Sequence, residues 1–240
     1  MKVAFDRPLR YNEVDPQLQL KPVCLFQLFQ EAAVAHTEQV GLRTQDLLEQ
    51  GFAWMMHKIA VRIDSCPRLN DALQLRTWSS GIKGYQARRE FEILADGQPA
   101  VAASSVWFAV DLNQGRIQRI PEAMTARYTV EPAEFTELDP KTWKPAAFPE
   151  HAERTDIALR PSDFDPYGHV NNAVYLDYLD AALDRQGFCL NKASSVRLVF
   201  KQGITASIRH IEVETAGPAD AMAFRMTSED TVFTEGQVSL

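Results

Sequence analysis

Two segments of the chain decide its fold, because the second repeats the first. Residues 10–32 read RYNEVDPQLQLKPVCLFQLFQEA, and residues 160–182 read RPSDFDPYGHVNNAVYLDYLDAA. Aligned at their Asp-Pro steps, the segments are identical at these pairs: Arg10 and Arg160, Asp15 and Asp165, Pro16 and Pro166, Ala32 and Ala182. The apolar positions around these identities also agree, and the same order of elements follows, which is typical of an internal repeat.

Each Asp-Pro turn leads into a helix whose apolar residues recur at i, i+3, i+4 and i+7. This stripe consists of Leu25, Leu28, Phe29 and Ala32 in the first copy and of Tyr175, Tyr178, Leu179 and Ala182 in the second. Four strands are predicted after each helix: 54–63, 72–80, 86–94 and 100–110, then 195–200, 208–215, 221–228 and 231–238. One helix followed by antiparallel strands predicts an α+β fold in which a sheet wraps each helix.

The repeat divides the chain into two predicted domains, residues 1–131 and residues 152–240. Residues 132–151 hold four prolines and show neither helical nor strand periodicity. We therefore expect this stretch to be an interdomain linker.

Composition narrows the class of protein. Hydrophobic residues make up 45% of the 240 residues and charged residues 24%, which is typical of a folded globular chain. A formal net charge of -7 argues against a general nucleic-acid-binding protein. No stretch has the apolar length of a signal peptide or a bilayer span, and the three cysteines form no CxxC pair. We therefore expect a cytoplasmic protein with reduced thiols and no membrane insertion.

Several segments resemble one family of enzymes. Residues 163–172, DFDPYGHVNN, resemble the turn before the helix in hotdog thioesterases. In the first half, WMMHKI at 54–59, SSVW at 104–107 and IPE at 120–122 resemble the amino-terminal hotdog of plant-type and bacterial acyl-acyl carrier protein thioesterases. The resemblance covers nearly the whole chain. It implies a tandem hotdog fold, with each sheet wrapped around a central helix, and hydrolysis of fatty acyl-acyl carrier protein, which releases a free fatty acid and ends chain elongation.

The resemblance places the catalytic residues in the second copy. Asp165 takes the position of the family's catalytic Asp, and His169 takes that of its His. Tyr167 stands where the family has Asn, and Gln202 stands where it has a Glu on the next strand. In the first copy, Asp15 is not followed by a histidine, so we expect that copy to be catalytically silent.

The residues themselves favour thioester chemistry at this turn. Asp165 can act as a nucleophile or position a water as general base, and backbone N–H groups at a helix amino terminus can stabilise an oxyanion. Gly168 has no Cβ, so we expect substrate to approach the backbone there, just before a helix that begins near Asn171 or Asn172. Asp165 could instead simply begin a turn, and either asparagine could simply cap the helix.

The remaining predicted contacts concern the acyl chain and its carrier. We expect substrate to be bound by these residues: Trp54, Met56, Ile59, Tyr167, Gly168 and Asn171. The first three belong to the first hotdog, where the resemblance places the acyl pocket. Acyl carrier protein is acidic, so candidate docking residues are basic: Lys83, Arg88, Arg89, Arg116, Arg119, Arg127, Lys192, Arg197 and Lys201.

Other functions stay open at this point. An acyl-CoA thioesterase would use the same turn and differ in the carrier that it recognises. A non-catalytic acyl-thioester binding module would explain the absent Asn and Glu. His57 fits a structural or pocket-lining role better than that of a base, and the cysteines match no catalytic motif. The five histidines show no ligand spacing, so neither a metal nor a cofactor is predicted. The sequence leaves the oligomeric state open, a homodimer included.

Overall fold

The computed structural model describes residues 1–240 and contains two similar halves. The helices and strands of the first half are β1 (Val3–Pro8), α1 (Pro22–Gln39), α2 (Thr44–Glu49), β2 (Phe52–Ile63), β3 (Ala72–Lys83), β4 (Gln86–Ala95), β5 (Gln98–Asp111), β6 (Arg116–Ile117) and α3 (Glu122–Thr125). Those of the second half are β7 (Glu153–Ala158), α4 (Val174–Asp184), β8 (Ser195–Phe200), β9 (His210–Ala216), β10 (Met222–Ser228) and β11 (Thr231–Ser239). The eight strands predicted after the helices are all present, with ends that differ by no more than a few residues.

All strands belong to one antiparallel sheet. Its order is β1-β3-β4-β5-β2-β8-β11-β10-β9-β7, with the short β6 paired to β5. The first half contributes β1-β3-β4-β5-β2, and the second half contributes the matching strands in reverse, from β8 to β7. The halves join where β2 pairs with β8, in a register that sets Lys58 opposite Val199.

The two Asp-Pro turns have the same hydrogen bonds, as a true repeat requires. Asp15 donates its backbone N–H to the carbonyl of Gln19 over 2.8 Å, and Asp165 does the same to the carbonyl of His169 over 2.8 Å. Leu18 and Gly168 occupy equivalent positions with positive φ, 62° and 76°. The predicted equivalence of Asp15 and Asp165 therefore holds in three dimensions.

The apolar stripes of both helices pack against the inner face of the sheet. All eight predicted stripe residues are buried. Phe29 on α1 meets Phe91 on β4 with ring centroids 4.8 Å apart, and Tyr175 on α4 meets Phe200 on β8 at 5.2 Å. Buried residues of both halves belong to a single hydrophobic core, which fixes α1 and α4 relative to each other.

The predicted linker, residues 132–151, lies against the outer face of the first half. Apart from a 3-10 turn at Thr136–Leu138 it has no regular structure, as its prolines predict. It is nevertheless well attached, since Trp78 donates its indole N–H to the Pro132 carbonyl over 3.1 Å and Leu138 is buried.

None of the helices combines the length and the apolar composition that a bilayer crossing requires.

Candidate active site

The Asp165 carboxylate is held by the backbone of its own turn, which precedes the amino terminus of α4. One oxygen, Oδ1, accepts the backbone N–H groups of Tyr167 over 2.9 Å and His169 over 3.3 Å. The other oxygen, Oδ2, accepts no hydrogen bond from the chain. Burial raises the pKa of this carboxyl above its ordinary value, and the two N–H groups partly oppose that rise. The result is an oriented carboxylate with one free oxygen.

The equivalent carboxylate of the first copy is occupied on both oxygens. Oδ1 of Asp15 accepts the N–H groups of Gln17 over 2.8 Å and Gln19 over 2.9 Å, as in the second copy. Its Oδ2, however, accepts a hydrogen bond from the side-chain amide of Asn191. The two copies thus share a turn but differ in whether a carboxylate oxygen is free.

Next to Asp165, the imidazole of His169 packs on the backbone of Gly203. A Cβ at position 203 would overlap the His169 ring, so only glycine fits there. The backbone of the same loop is tied to the turn, because Val170 donates its N–H to the Ile204 carbonyl over 2.9 Å. Nδ1 of His169 is buried and has no hydrogen-bond partner in the chain. Sequence reasoning missed Gly203, although a lone glycine directly after a strand is a signal for close approach.

Gly168 has a backbone conformation that favours glycine. Its φ of 76° is in the left-handed region, and a Cβ there would meet nothing within 4 Å. Its N–H already donates to the Asp165 carbonyl over 3.0 Å. The N–H of Gly168 is therefore not a free donor, and the expectation that a substrate approaches the backbone there stays a prediction.

Helix α4 begins at Val174, two residues later than the latest start predicted from the sequence. Asn171 stabilises the turn that precedes the helix, since its Oδ1 accepts the N–H of Ala173 over 2.9 Å, whereas the N-cap residue itself, Ala173, makes no side-chain cap. Asn172, which is half-buried, has a backbone N–H with no acceptor in the chain. This N–H is a free donor near the helix amino terminus and close in sequence to Asp165.

A second carboxylate, that of buried Asp163, holds the turn in place through its hydrogen bonds. It is 1% exposed and accepts hydrogen bonds from the Tyr178 hydroxyl over 2.7 Å and from the Arg160 backbone and guanidinium over 2.8 and 2.9 Å. These bonds fix the turn onto α4, so the position of Asp165 is set by buried partners. Asp163 is structural and has no free oxygen comparable to that of Asp165.

Comparison with known proteins identifies the family. The model of the acyl-ACP thioesterase N-terminal domain matches residues 3–128, and that of the acyl-ACP thioesterase C-terminal domain matches residues 147–231. The chain belongs to the acyl-ACP thioesterase family.

Relatives within the acyl-ACP thioesterase family include plant enzymes. The chain is 24% identical over 189 residues to the acyl-[acyl-carrier-protein] hydrolase FATB3, chloroplastic, of Cuphea viscosissima, an overlap of 74% of this chain and 46% of the relative. It is 24% identical over 212 residues to the dodecanoyl-[acyl-carrier-protein] hydrolase, chloroplastic, of Cinnamomum camphora, or 82% of this chain and 55% of the relative. The chain thus spans about half the length of the curated relatives that it matches.

Solved acyl-ACP thioesterases share the fold. The 12:0-ACP thioesterase from Umbellularia californica superposes with a TM-score of 0.85 at 16% identity, covering 99% of this chain and 96% of that one. An acyl-ACP thioesterase from Bacteroides thetaiotaomicron gives 0.76 at 16% identity, covering 99% and 97%. The predicted α+β tandem hotdog is confirmed.

At two positions the resemblance implies residues other than those present, Tyr167 and Gln202. Tyr167 is half-buried, and burial followed by the charge of Asp165 raises the pKa of its phenol, so the phenol stays protonated at neutral pH. The side chain of Gln202 is exposed and makes no hydrogen bond to Asp165 or His169, although its backbone adjoins Gly203. The structure therefore brings Asp165, His169 and Tyr167 together and leaves the Gln202 side chain outside that group.

The predicted acyl-pocket residues divide between two apolar clusters. Met56 and Ile59 are buried in the main core, on the same face of β2 because a β-bulge between them inserts His57. Trp54 packs instead on a smaller cluster beside Phe52, at a ring distance of 5.1 Å. The three side chains therefore do not line one cluster.

One wide cleft of the surface lies away from Asp165. It has a volume of about 840 Å³ and runs between the turn of Asp15 and the outer side of α4. Its lining is mixed in charge, with five aspartates against three basic residues, Lys21, Arg160 and Arg185. Neither Asp165 nor His169 lines it.

Two of the predicted docking residues are unsuitable for binding an acidic partner. Arg89 is only 8% exposed and faces the interior, which contradicts its assignment to a surface. Arg88 pairs with Asp139 of the segment between the halves at 3.2 Å. The alternation of β4 offered a signal, because Arg89 lies on the same face as Phe91 and Ile93, two residues and four residues later.

Proposed function

We propose that this protein hydrolyses the thioester of a fatty acyl group carried by acyl carrier protein, releasing a free fatty acid. The observation that carries the proposal is the free Oδ2 of Asp165 in a turn whose first-copy equivalent is blocked by Asn191. Membership of the acyl-ACP thioesterase family supports the reaction class.

In the proposed reaction, Asp165 is the general base. Its free oxygen accepts a proton from water as the water oxygen bonds to the thioester carbonyl carbon. The carbonyl oxygen becomes an oxyanion, which the free N–H of Asn172 stabilises at the amino terminus of α4. When the tetrahedral intermediate collapses, the C–S bond breaks and the proton passes from Asp165 to the departing sulfur, leaving carboxylic acid and thiol.

We assign supporting roles to the neighbouring side chains. His169 holds Asp165 through its backbone N–H and closes the site against Gly203. Tyr167 donates its backbone N–H to the same carboxylate, and its protonated phenol can orient water without deprotonating it. Gln202, an exposed amide, is not required for proton transfer in this scheme, although its sequence position matches a catalytic Glu.

We propose different roles for the two halves of the chain. Residues 1–131 would hold the acyl chain and residues 152–240 would carry the chemistry, with residues 132–151 as the linker. Met56 and Ile59 would contact the chain, and Trp54 would contribute from the neighbouring cluster.

The carrier protein would dock at the end of the sheet that carries the active site. The β3–β4 turn and the segment after β5 adjoin there, since Ile120 donates its N–H to the Gly84 carbonyl over 2.8 Å. Lys83, Arg116 and Arg119 are exposed on these segments and form no ion pairs. An acidic carrier would be attracted to these charges.

Charge reversal tests this docking surface. Reversing Lys83 and Arg119 to Glu should raise KM for acyl carrier protein substrates and spare a small thioester surrogate, with an effect that shrinks at high salt. Lys192, a docking candidate from the sequence, is left out of this surface because it lies just before β8, at the end of that strand remote from Phe200. Since it is exposed, Lys192→Glu is the matched control. Equal losses on both substrate types would contradict the assignment.

Turnover of purified protein on matched acyl carrier protein and acyl-CoA substrates tests the function itself. Preference for the carrier protein substrate is the expected result. Preference for CoA would establish the acyl-CoA thioesterase instead, and tight binding without turnover would establish a binding module.

Location and assembly stay predictions. We propose the cytoplasm, which the three free cysteines support because reducing compartments keep thiols unpaired. Cell fractionation tests the location, and light scattering tests whether the protein is a homodimer.

A further inference from the structure

The two halves of the chain are related by an approximate twofold axis at the join between β2 and β8. The paired stretches, residues 58–62 of β2 and 195–199 of β8, are antiparallel and centred on Ala60 opposite Arg197. Ala60 and Arg197 are therefore equivalent positions of the repeat. Residues at the same number of steps along the chain from these two positions are equivalent as well.

Hydrogen bonds to the Asp-Pro turns support this equivalence beyond the paired strands. Pro67 and Ile204 each follow the central pair by seven residues. The carbonyl of Pro67 accepts the N–H of Leu20 over 2.8 Å, and the carbonyl of Ile204 accepts the N–H of Val170 over 2.9 Å. Each donor has the same position in its own turn, so the two turns sit alike on the loops that follow β2 and β8.

The same equivalence pairs Trp54 with Asn191, since each precedes the central pair by six residues. In the first copy, Asn191 crosses from the opposite half and donates its side-chain amide to Oδ2 of Asp15. Asn191 also lines one small cavity together with Cys66, the equivalent of Gly203 at the active site. The repeat therefore assigns Trp54 to the position beside the second turn from which Asn191 occupies the first.

The hydrogen bond that is made in the first copy is missing in the second. The indole Nε1 of Trp54 is buried and has no acceptor in the chain. Oδ2 of Asp165, the equivalent of the acceptor in the first copy, receives no donor from the chain. Because buried side-chain donors are nearly always hydrogen-bonded, a buried indole N–H without an acceptor indicates a partner from outside the chain.

Packing fixes the indole ring before any partner arrives. The Trp54 ring meets the ring of Phe52 nearly edge-on, with centroids 5.1 Å apart, and lies on the apolar cluster that contains Ala109 and Ile120. A donor that is already fixed needs no reorganisation when negative charge develops opposite it.

We propose that the indole N–H of Trp54 donates to the carbonyl oxygen of the acyl thioester, as a second donor beside the N–H of Asn172. The inference rests on the proposed function and assigns the gap between Trp54 and Asp165 to the reacting thioester and its water. As water bonds to the carbonyl carbon, the carbonyl electron pair moves to oxygen, and the indole hydrogen bond to that oxygen strengthens without transfer of its proton. Trp54 is then a catalytic residue contributed by the otherwise silent first half.

Replacing Trp54 by Phe tests the role of the indole N–H. The variant keeps an aromatic ring and loses only the donor edge. We expect kcat on an acyl carrier protein substrate to fall about a hundredfold with little change in KM, because the lost hydrogen bond is strongest in the transition state. Trp78→Phe is the matched control, since the Trp78 indole N–H already donates to the Pro132 carbonyl over 3.1 Å, and this variant should keep its kcat. Circular dichroism checks the folding of both variants.

A measurement on the wild-type protein tests the same contact without a mutation at Trp54. The indole N–H resonance of Trp54 is followed by nuclear magnetic resonance while acyl pantetheine analogues are added. An amide analogue keeps the carbonyl, and a thioether analogue lacks it. We expect a downfield shift of the indole proton with the amide and none with the thioether, since only a carbonyl oxygen accepts the hydrogen bond.

The outcomes separate this inference from the proposed function. Wild-type protein that is inactive on every acyl carrier protein substrate would refute the function. An active wild type whose folded Trp54→Phe variant keeps its kcat, or raises only KM, would refute the donor role alone and leave Trp54 as a pocket wall. If Trp54→Phe does not fold, the same indole shift with both analogues would refute the donor role.

Discussion

Replacing Asp165 by Asn separates the charge of this residue from its structural part in the turn. The asparagine Oδ1 can accept the same N–H groups from Tyr167 and His169 that the carboxylate accepts at 2.9 and 3.3 Å. The new amide nitrogen replaces Oδ2, which has no partner to lose. The fold should therefore be kept while the general base is lost, and turnover should fall about a hundredfold or more.

Asp15→Asn is the matched control, because it makes the same change in the same turn of the first copy. The Asp15 variant loses at most the hydrogen bond with Asn191, worth about 1 kcal/mol of unfolding free energy, and should keep its turnover. The assay is thiol release from an acyl carrier protein substrate under saturating conditions, with thermal unfolding measured in parallel. Near-normal turnover of a folded Asp165→Asn protein would refute the assignment of the base, and a carboxylate outside this turn would have to be sought.

Three other changes test the site and its surroundings. Gly203→Ala should lower the unfolding free energy by about 1–3 kcal/mol and reduce turnover, because the added methyl group displaces the His169 ring; unchanged kinetics would contradict this packing. The value of kcat/KM should fall as pH drops through a midpoint above 3.8, because burial raises the pKa of Asp165 and only the carboxylate can accept the proton; a midpoint below 3.8 would oppose this. The folded-state pKa of His36, about 4, is below its unfolded value of 6.5, so protons bind the unfolded chain more strongly in that interval. As pH falls from 6.5 to about 4 the protein should lose about 3 kcal/mol of unfolding free energy through this group, and His36→Gln should show a flatter dependence in denaturant titrations.

The helices, strands and repeated turn could be predicted from the sequence because each has a local signal. The stripe from Leu25 to Ala32 has the period of a helix, and the Asp-Pro step marks the turn in both copies. The pairing of β2 with β8, which joins the two halves into one sheet, has no comparable signal in the sequence. It depends on contacts between residues far apart in the chain, such as Lys58 and Val199.

The sequence motif was sufficient to predict that Asp165 and His169 lie in one turn, whereas the surroundings of that turn were only partly predictable; the catalytic roles stay predictions. Asp165 and His169 are adjacent because they belong to one turn, so their spacing in the sequence determines their spacing in space. Gln202 reaches the site only with its backbone, because the direction of a side chain in a loop is decided by tertiary contacts. Arg89 was assigned to the surface from its charge, whereas its position on β4 two residues before Phe91 directs it inward.

The hydrogen-bond partner of the Asp15 carboxylate could not be predicted from the sequence motif. The partner of Asp15, Asn191, comes from the other half of the chain, 176 residues away. A comparison of the two turns alone would show them as equal, and only the fold reveals that one oxygen is blocked in the first copy and free in the second.

The most direct test of the account is the initial rate of thiol release by purified wild-type protein from a twelve-carbon acyl carrier protein substrate, beside the same acyl group on CoA. We predict catalytic turnover that is faster with the carrier protein, falls about a hundredfold or more in Asp165→Asn and is kept in Asp15→Asn. No release above the uncatalysed rate from either carrier, or equal loss of activity in the two variants, would contradict it.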